Sequence, residues 1–208
     1  SLNFCSFMKD FLKYFTIIFV LFFSTASAQI KDCSTVEDAS RIIIAGGSIT
    51  EIIYFIGVED NIIGLDVTSV YPEQTKEFPS IGYVRNLSAE GVLSMNPSLV
   101  LGEDDMGPPA VIKQIMKTSV DLRIIPEQHN ADGIIKKINC IGKIINQEEL
   151  VSKTIKKKIM PTVKQLKKIS AKNTKKDIKV MLILSMQGTS PIVAGKETSG
   201  HGFIEMIG

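Results

Sequence analysis

A chain of 208 residues, 44% hydrophobic and 22% charged, has the make-up of a folded protein, with room for one full domain and part of another. A formal charge of +2 gives no basic field that would argue for nucleic acid. Three cysteines, with no Cys-x-x-Cys pair, supply neither a zinc-finger spacing nor a disulfide framework.

The first element is a targeting segment. Met8-Lys9-Asp10-Phe11-Leu12-Lys13 is a short basic region, and YFTIIFVLFF (residues 14–23) is an apolar run. Ser-Thr-Ala-Ser-Ala then ends at Ala28. This order is that of a secretory signal peptide, with an A-x-A site at Ala26-Ser27-Ala28 and a mature start near Gln29. A membrane span needs roughly 20 apolar residues, so the mature chain is not expected to cross a membrane. Residues 1–7 contain no Met and read as translated upstream sequence. Loss of Lys9, Lys13 and Asp10 leaves 22 basic against 21 acidic residues, a nearly neutral exported chain. Gln29-Ile30-Lys31-Asp32 before Cys33 is not the small apolar run of a lipoprotein box, so no lipid anchor is expected there. Cys33 and Cys140 can pair in an oxidising compartment; the sequence leaves that open.

From residue 41 the pattern alternates. Arg41-Ile42-Ile43-Ile44-Ala45 reads as a buried strand, and Gly46-Gly47 turns the chain. Ser48-Ile49-Thr50-Glu51 reads as a capping box opening a helix over 50–56, stopped by Gly57. Strands follow at 61–66, at 98–102 after an Asn96-Pro97 turn, and at 122–126. Helices are predicted over 108–118, with Pro in the first turn, and over 131–145. Strands alternating with helices imply a parallel, helix-covered α/β sheet.

The alternation stops near residue 148. Ile155, Ile159, Val163, Leu166 and Ile169 recur at steps of three and four, with lysines elsewhere, predicting one long amphipathic helix to about residue 172. Pro161 predicts a kink or break in it, and the lysines read as a solvated face. Strands are then predicted at 179–184 and 192–195. AGKETSGHGFIEMIG (194–208) echoes AGGSITEIIYFIG (45–57), both opening on Ala-Gly and closing on Ile-Gly. The expected organisation is a leader over 1–28, a first α/β lobe over 29–146, a connecting helix over 147–174, and the start of a second, truncated lobe over 175–208.

Export, a strand–helix lobe, a long helix and a second similar unit together resemble the binding proteins of metal-chelate ABC importers, a superfamily of siderophore, corrinoid and haem carriers. The resemblance covers residues 41–208 and implies two Rossmann-like lobes joined by a rigid helix, with the ligand in the cleft between them. IGYVRNLSAEGVLSMNPSLVL (81–101), GPPAV (107–111) and LSMQGTSPIVAG (184–195) resemble periplasmic haemin-binding proteins in particular. NPSLVL is generic to the superfamily, whereas Gly-Tyr-x-Arg-x-Leu-Ser-Ala-Glu-Gly is more specific. The resemblance implies a monomeric periplasmic protein, not an enzyme, that carries haem as a transported ligand to an ABC permease and its ATPase for iron uptake.

It also implies that Tyr83 is the axial ligand of the haem iron. Ferric iron is a hard Lewis acid for which a tyrosinate oxygen is a suitable donor. A free tyrosine has a pKa near 10, so ionisation at neutral pH costs about 4 kcal/mol, most of which the coordinated cation offsets. A guanidinium two residues on favours the charged phenolate. If the strand end is extended, Tyr83 and Arg85 project to the same side. Without the resemblance, the plainer reading is a loop-edge tyrosine with its arginine in solvent.

Tyr71, Met186, His129 and His201 are further candidates for the cleft lining, though packing is the plainer reading for Tyr71, apolar lining for Met186 and an ordinary surface position for the two histidines. Tyr54 reads as core. One surface glutamate per lobe docks on the permease in this superfamily; Glu90 matches that position, and also suits a helix first turn. A ferric-siderophore or corrinoid carrier is the alternative, and needs no phenol at 83. A secreted enzyme on a Rossmann-like lobe is a more distant one. Ala45-Gly46-Gly47-Ser48 precedes a helix, but no G-x-G-x-x-G, G-x-S-x-G or H-E-x-x-H is present.

Overall fold

The computed structural model describes residues 33–172 and 179–207, all within one compact unit of the chain, Lys31–Gly208. The leader and its cleavage site lie outside the described residues. The chain order is β1 (Ile42–Ala45), α1 (Gly47–Ile56), β2 (Ile62–Leu65), β3 (Gly82–Tyr83), β4 (Asn86–Leu87), α2 (Ala89–Leu93), β5 (Leu99–Gly102), α3 (Pro109–Ile115), β6 (Asp121–Ile124) and α4 (Ala131–Ile144). Then come α5 (Glu148–Thr154), a π-helical turn (Ile155–Ile159), α6 (Met160–Lys172), β7 (Ile183–Gln187), β8 (Ser190–Val193) and α7 (Ser199–Ile207).

Strands β2-β1-β5-β6 form one parallel sheet in that order, as the alternating pattern predicts. Every residue of β1 and β5 is buried, because helices cover both faces of a parallel sheet and leave no polar side. Ile42, Ile44, Ile49, Ile53, Leu99, Leu101, Ile141 and Ile144 form the centre of the core. Each such side chain contributes about 1.5–3 kcal/mol on removal from water. From β1 the chain crosses to β2 on one side, then returns to place β5 and β6 on the other. The carboxyl ends of β1 and β5 therefore flank the point where the strand order reverses, where open α/β sheets leave a crevice.

Three expectations about helix ends and bends meet different outcomes. Gly57 ends α1 in the left-handed region (φ 84°), and its N–H bonds to the Ile53 and Tyr54 carbonyls, as the stop signal predicts. The capping box does not form. Helix α1 starts at Gly47 with Gly46 as N-cap and no side-chain cap, and Ser48 already lies in the first turn. Its hydroxyl donates instead to Glu103 Oε1 at 2.5 Å, a partner far along the chain. At Pro161 the helix neither breaks nor stops. The π-helical turn just before it shifts the hydrogen-bond ladder, with the Met160 N–H donating to the Ile155 carbonyl five residues back. A wider turn thus absorbs the missing proline donor and its ring.

Residues after α6 also depart from expectation. The strands run over Ile183–Gln187 and Ser190–Val193 and pair antiparallel as a hairpin, with every residue exposed. Gly188 (φ 60°) turns the chain between them, and that turn sets the register. A disulfide joins Cys33 to Cys140, tying the segment before β1 to α4. Among the described residues no helix is long and apolar enough to cross a membrane.

Candidate functional site

The loops that leave the carboxyl ends of the four parallel strands converge on one cavity of ≈ 700 Å³. Gly47 and Ser48 follow β1, Thr68 follows β2, Glu103–Asp105 follow β5, and Glu127 and His129 follow β6. Tyr83 and Arg85 line it from the β3–β4 hairpin, and Glu197–Ser199 from the approach to α7. That size falls within the range of about 300–1,000 Å³ typical of small-molecule sites.

Asp66, which the sequence reading passed over, organises the floor. Buried to 2% exposure at the end of β2, it accepts from the Gly46 N–H and the Ser69 hydroxyl through Oδ1. Through Oδ2 it accepts from the Thr68 N–H and hydroxyl. One carboxylate thereby fastens the turn after β1 to the turn after β2. Gly46 holds φ 146°, and a Cβ there would stand 2.4 Å from Glu103 Cγ, so only glycine lets the two loops approach this closely.

The hairpin that carries Tyr83 is anchored by every third side chain. Ile81, Val84 and Leu87 are buried, while Tyr83 (44% exposed) and Arg85 point outward. Backbone bonds hold it on both flanks: Val67 N–H to the Gly82 carbonyl, Gly107 N–H to the Val84 carbonyl, and Leu87 N–H to the Gly107 carbonyl, each 2.9 Å. The chain is therefore not extended through Tyr83 and Arg85, as the sequence reading assumed. It reverses over Val84-Arg85, because Gly82 and Tyr83 pair with Leu87 and Asn86. Both side chains still face the same cavity.

Arg85 is not free to turn wholly to Tyr83. Its Nε donates to Asp105 Oδ2 at 2.7 Å, and Nη2 lies 2.7 Å from the same oxygen. That hydrogen bond, then the Asp105 charge, and then the Tyr83 oxygen hold the guanidinium above its ordinary pKa. The cation is thus permanent at any working pH.

Behind the cavity lies a charge cluster that the sequence did not foreshadow. Lys137 of α4 is only 4% exposed, and its Nζ donates to Ser48 Oγ at 2.5 Å and to Glu127 Oε2. Glu103 Oε1 lies 3.5 Å from the same nitrogen. A buried ammonium needs such partners, and two loop carboxylates with one hydroxyl supply them. The neighbouring Lys136 is exposed, and only the fold separates the two lysines.

The other candidates disperse. His129 lines the cavity, with Nδ1 3.2 Å from Ser199 Oγ and 3.9 Å from Glu127 Oε1. The backbone of α7 packs on it so closely that a Cβ at Gly202 would meet the His129 carbonyl. His201 lies on α7 with Nε2 3.3 Å from Glu205 and does not line the cavity. Met186 stands exposed on β7, also away from it. Tyr71 lines a different, larger cavity of ≈ 970 Å³ between α1, α4 and the loop after β2. Tyr54 shares that second cavity, its pKa raised by burial and then by Glu59 and Glu77. Glu90 is exposed in the first turn of α2, which Ser88 caps by accepting from the Gly91 N–H. Among the described residues no group of three His, Cys, Asp or Glu side chains is placed to hold a bare metal ion.

This geometry has counterparts. The chain is 26% identical over 198 residues to YvrC of Bacillus subtilis (strain 168), an uncharacterized ABC transporter substrate-binding lipoprotein, covering 94% of this chain and 62% of the relative. Its structure is similar to the periplasmic heme-binding protein RhuT from Roseiflexus sp. RS-1 in apo form, with TM-score 0.72 and 30% identity. That match covers 81% of this chain and 64% of the other. It is likewise similar to the periplasmic heme-binding protein HutB of Vibrio cholerae, with TM-score 0.70 and 30% identity over 82% of this chain and 64% of the other. The chain thus spans 62–64% of the length of these relatives. A family model described as periplasmic binding protein matches residues 42–208, four fifths of the sequence, and the chain belongs to that family.

Proposed function

We propose that this chain is the substrate-binding component of an ABC importer that captures haemin at the Tyr83 cavity and hands it to a permease and ATPase for haem-iron uptake. The observation that carries this reading is the half-exposed phenol of Tyr83, presented on a rigid hairpin to a cavity at the carboxyl ends of the sheet, with Arg85 beside it. The heme-binding names of RhuT and HutB support the same cargo.

In this reading Tyr83 supplies a phenolate oxygen to ferric iron, and Arg85 adds a fixed positive charge at the same wall. His129 lines the same cavity, with its Nδ1 next to the Ser199 hydroxyl, and is assigned to the wall while Tyr83 is assigned to the iron. The Ser199 hydroxyl lies 3.2 Å from His129 Nδ1 at the cavity wall, and the family match to periplasmic binding proteins supports binding and release as the role. The protein acts as a monomer, with 29–146 as first lobe, 147–174 as connecting helix and 175–208 as the start of the second.

Export through a signal peptide ending at Ala28 fits the Cys33–Cys140 disulfide, a bond suited to an oxidising compartment. A Cys33 sulfur engaged in that bond supports export without a lipid anchor at Cys33. Glu90, exposed on α2, is assigned to docking on the permease.

Haemin titrated into the mature chain is expected to give a high-spin, tyrosinate-type absorption spectrum. Tyr83→Phe removes that band and weakens binding at least tenfold, while circular dichroism stays unchanged. A mutant spectrum identical to wild type overturns the ligand assignment and favours a siderophore or corrinoid cargo, which does not need the phenol.

A further inference from the structure

The near-neutral charge of the exported chain conceals a strong separation. Residues 33–152 carry 9 Lys and Arg against 17 Asp and Glu, whereas residues 153–172 carry eight lysines and no acid. The two blocks are equal and opposite in net charge. The positive block occupies the end of α5, the π-helical turn and α6.

The lysines are arranged, not scattered. Val151, Ile155, Ile159, Val163, Leu166 and Ser170 form the sheltered stripe of this helix, buried or half-buried through the π-helical turn. Lys153, Lys157, Lys168 and Lys172 each follow a stripe residue by two positions, about 200° round a helix, and so stand opposite it. All four are exposed, and none forms an ion pair among the described residues. Lys167 finds only Asp132, at 3.8 Å with both side chains largely in solvent, and Lys158 lies 5.1 Å from the centre of the Phe55 ring. An ordinary solvated helix intersperses both signs, with acid four residues from base. This one carries a single sign over five turns.

We propose that this lysine face docks on an anionic phospholipid surface. A row of ammonium groups on flexible stems matches a plane of phosphate charge, and each lysine held near such a surface adds attraction that salt screens. The net negative charge of residues 33–152 favours an approach led by the lysine face, so the same field that attracts the helix also orients the molecule. The use of this contact rests on the importer role proposed above. An importer's binding protein gains from such a contact nearness to the bilayer that holds its permease.

The test is sedimentation of the mature chain with vesicles of phosphatidylcholine containing 30% phosphatidylglycerol, against phosphatidylcholine alone. Association is expected only with the anionic vesicles, and is expected to vanish in 0.5 M NaCl. The variant Lys153→Gln, Lys157→Gln, Lys168→Gln, Lys172→Gln is expected to lower partitioning at least about tenfold. A charge-matched control, Lys76→Gln, Lys113→Gln, Lys117→Gln, Lys143→Gln, changes four exposed lysines elsewhere and should lose less than threefold. Equal loss in both variants, equal binding to neutral vesicles, or capture of a soluble polyanion without vesicle binding overturns the proposal. Haemin titration of the same variants keeps this result separate from the cargo assignment, because the helix substitutions lie outside the Tyr83 cavity.

Discussion

Arg85 and Asp105 share one oxygen: Nε and Nη2 of the arginine both lie 2.7 Å from Asp105 Oδ2. The aspartate comes from the loop after β5 and the arginine from the β3–β4 hairpin, so the pair braces two independent loops at the wall where Tyr83 sits. Asp105 also cancels much of the cation that would favour a phenolate. Asp105→Asn is therefore expected to strengthen ferric haemin binding severalfold at low salt, and the gain should shrink as salt screens the unpaired guanidinium. Arg85→Ala should weaken binding, by less than Tyr83→Phe. Isothermal titration at two salt concentrations measures both, and tighter binding by Arg85→Ala would remove arginine from the site chemistry.

The Cys33–Cys140 bond closes a loop with a sequence separation of 107, enclosing the whole four-stranded sheet. On the chain-entropy account a loop of that length stabilises the folded state by about 4–5 kcal/mol, through restriction of the unfolded chain. The double variant Cys33→Ser, Cys140→Ser should lose most of this in urea unfolding, and reductant should do the same to wild type. A loss below about 1 kcal/mol would mean that the segment before β1 is ordered by packing alone, through Val36 and its backbone bond to Ile144.

What could be read in advance follows the range of the interactions. The run Ile42–Ala45 signals a buried strand because burial on both sheet faces removes alternation, and Gly57 signals a stop because only glycine takes φ 84° without strain. Tyr83 and Arg85 were legible as a pair through their motif, yet their backbone was not, since the reversal at Val84-Arg85 depends on Gly107 and Val67 from other loops. Ser48 looked like a cap because its real partners, Glu103 and Lys137, are 55 and 89 residues away. Asp66 carried no local signal at all: an acid after a strand is ordinary until four donors from two turns converge on it. The ends of β7 and β8 differ from the apolar runs because cross-strand pairing carries both strands into polar residues beside the turn, Gln187 opposite Ser190, which hydrophobicity alone does not mark.

On the importer reading proposed above, Glu90 would separate cargo capture from delivery. It is exposed on α2 and does not line the Tyr83 cavity, so Glu90→Ala should leave haemin affinity within twofold of wild type. Uptake of haem iron by cells that depend on this protein should fall at least fivefold. Normal uptake would return Glu90 to the role of a first-turn acid favoured by the helix dipole.

Lys137 offers the sharpest test of how the cavity floor is held. Its ammonium is almost fully buried between Ser48, Glu103 and Glu127, residues that belong to three different elements. Removing one member of a buried charge cluster leaves the others desolvated and unpaired, a loss of about 3–5 kcal/mol. Lys137→Met is therefore expected to destabilise the protein by that amount in urea unfolding, and to loosen the loops after β1 and β5 that line the Tyr83 cavity. Adding Glu127→Gln to Lys137→Met removes one orphaned charge and should recover part of the loss, whereas Glu127→Gln alone should be destabilising. Hydrogen exchange of Ser48 and Glu103 amides reports the loosening directly. If the double variant is no more stable than Lys137→Met, the lysine acts by packing its methylene stem, and its charge does not hold the floor.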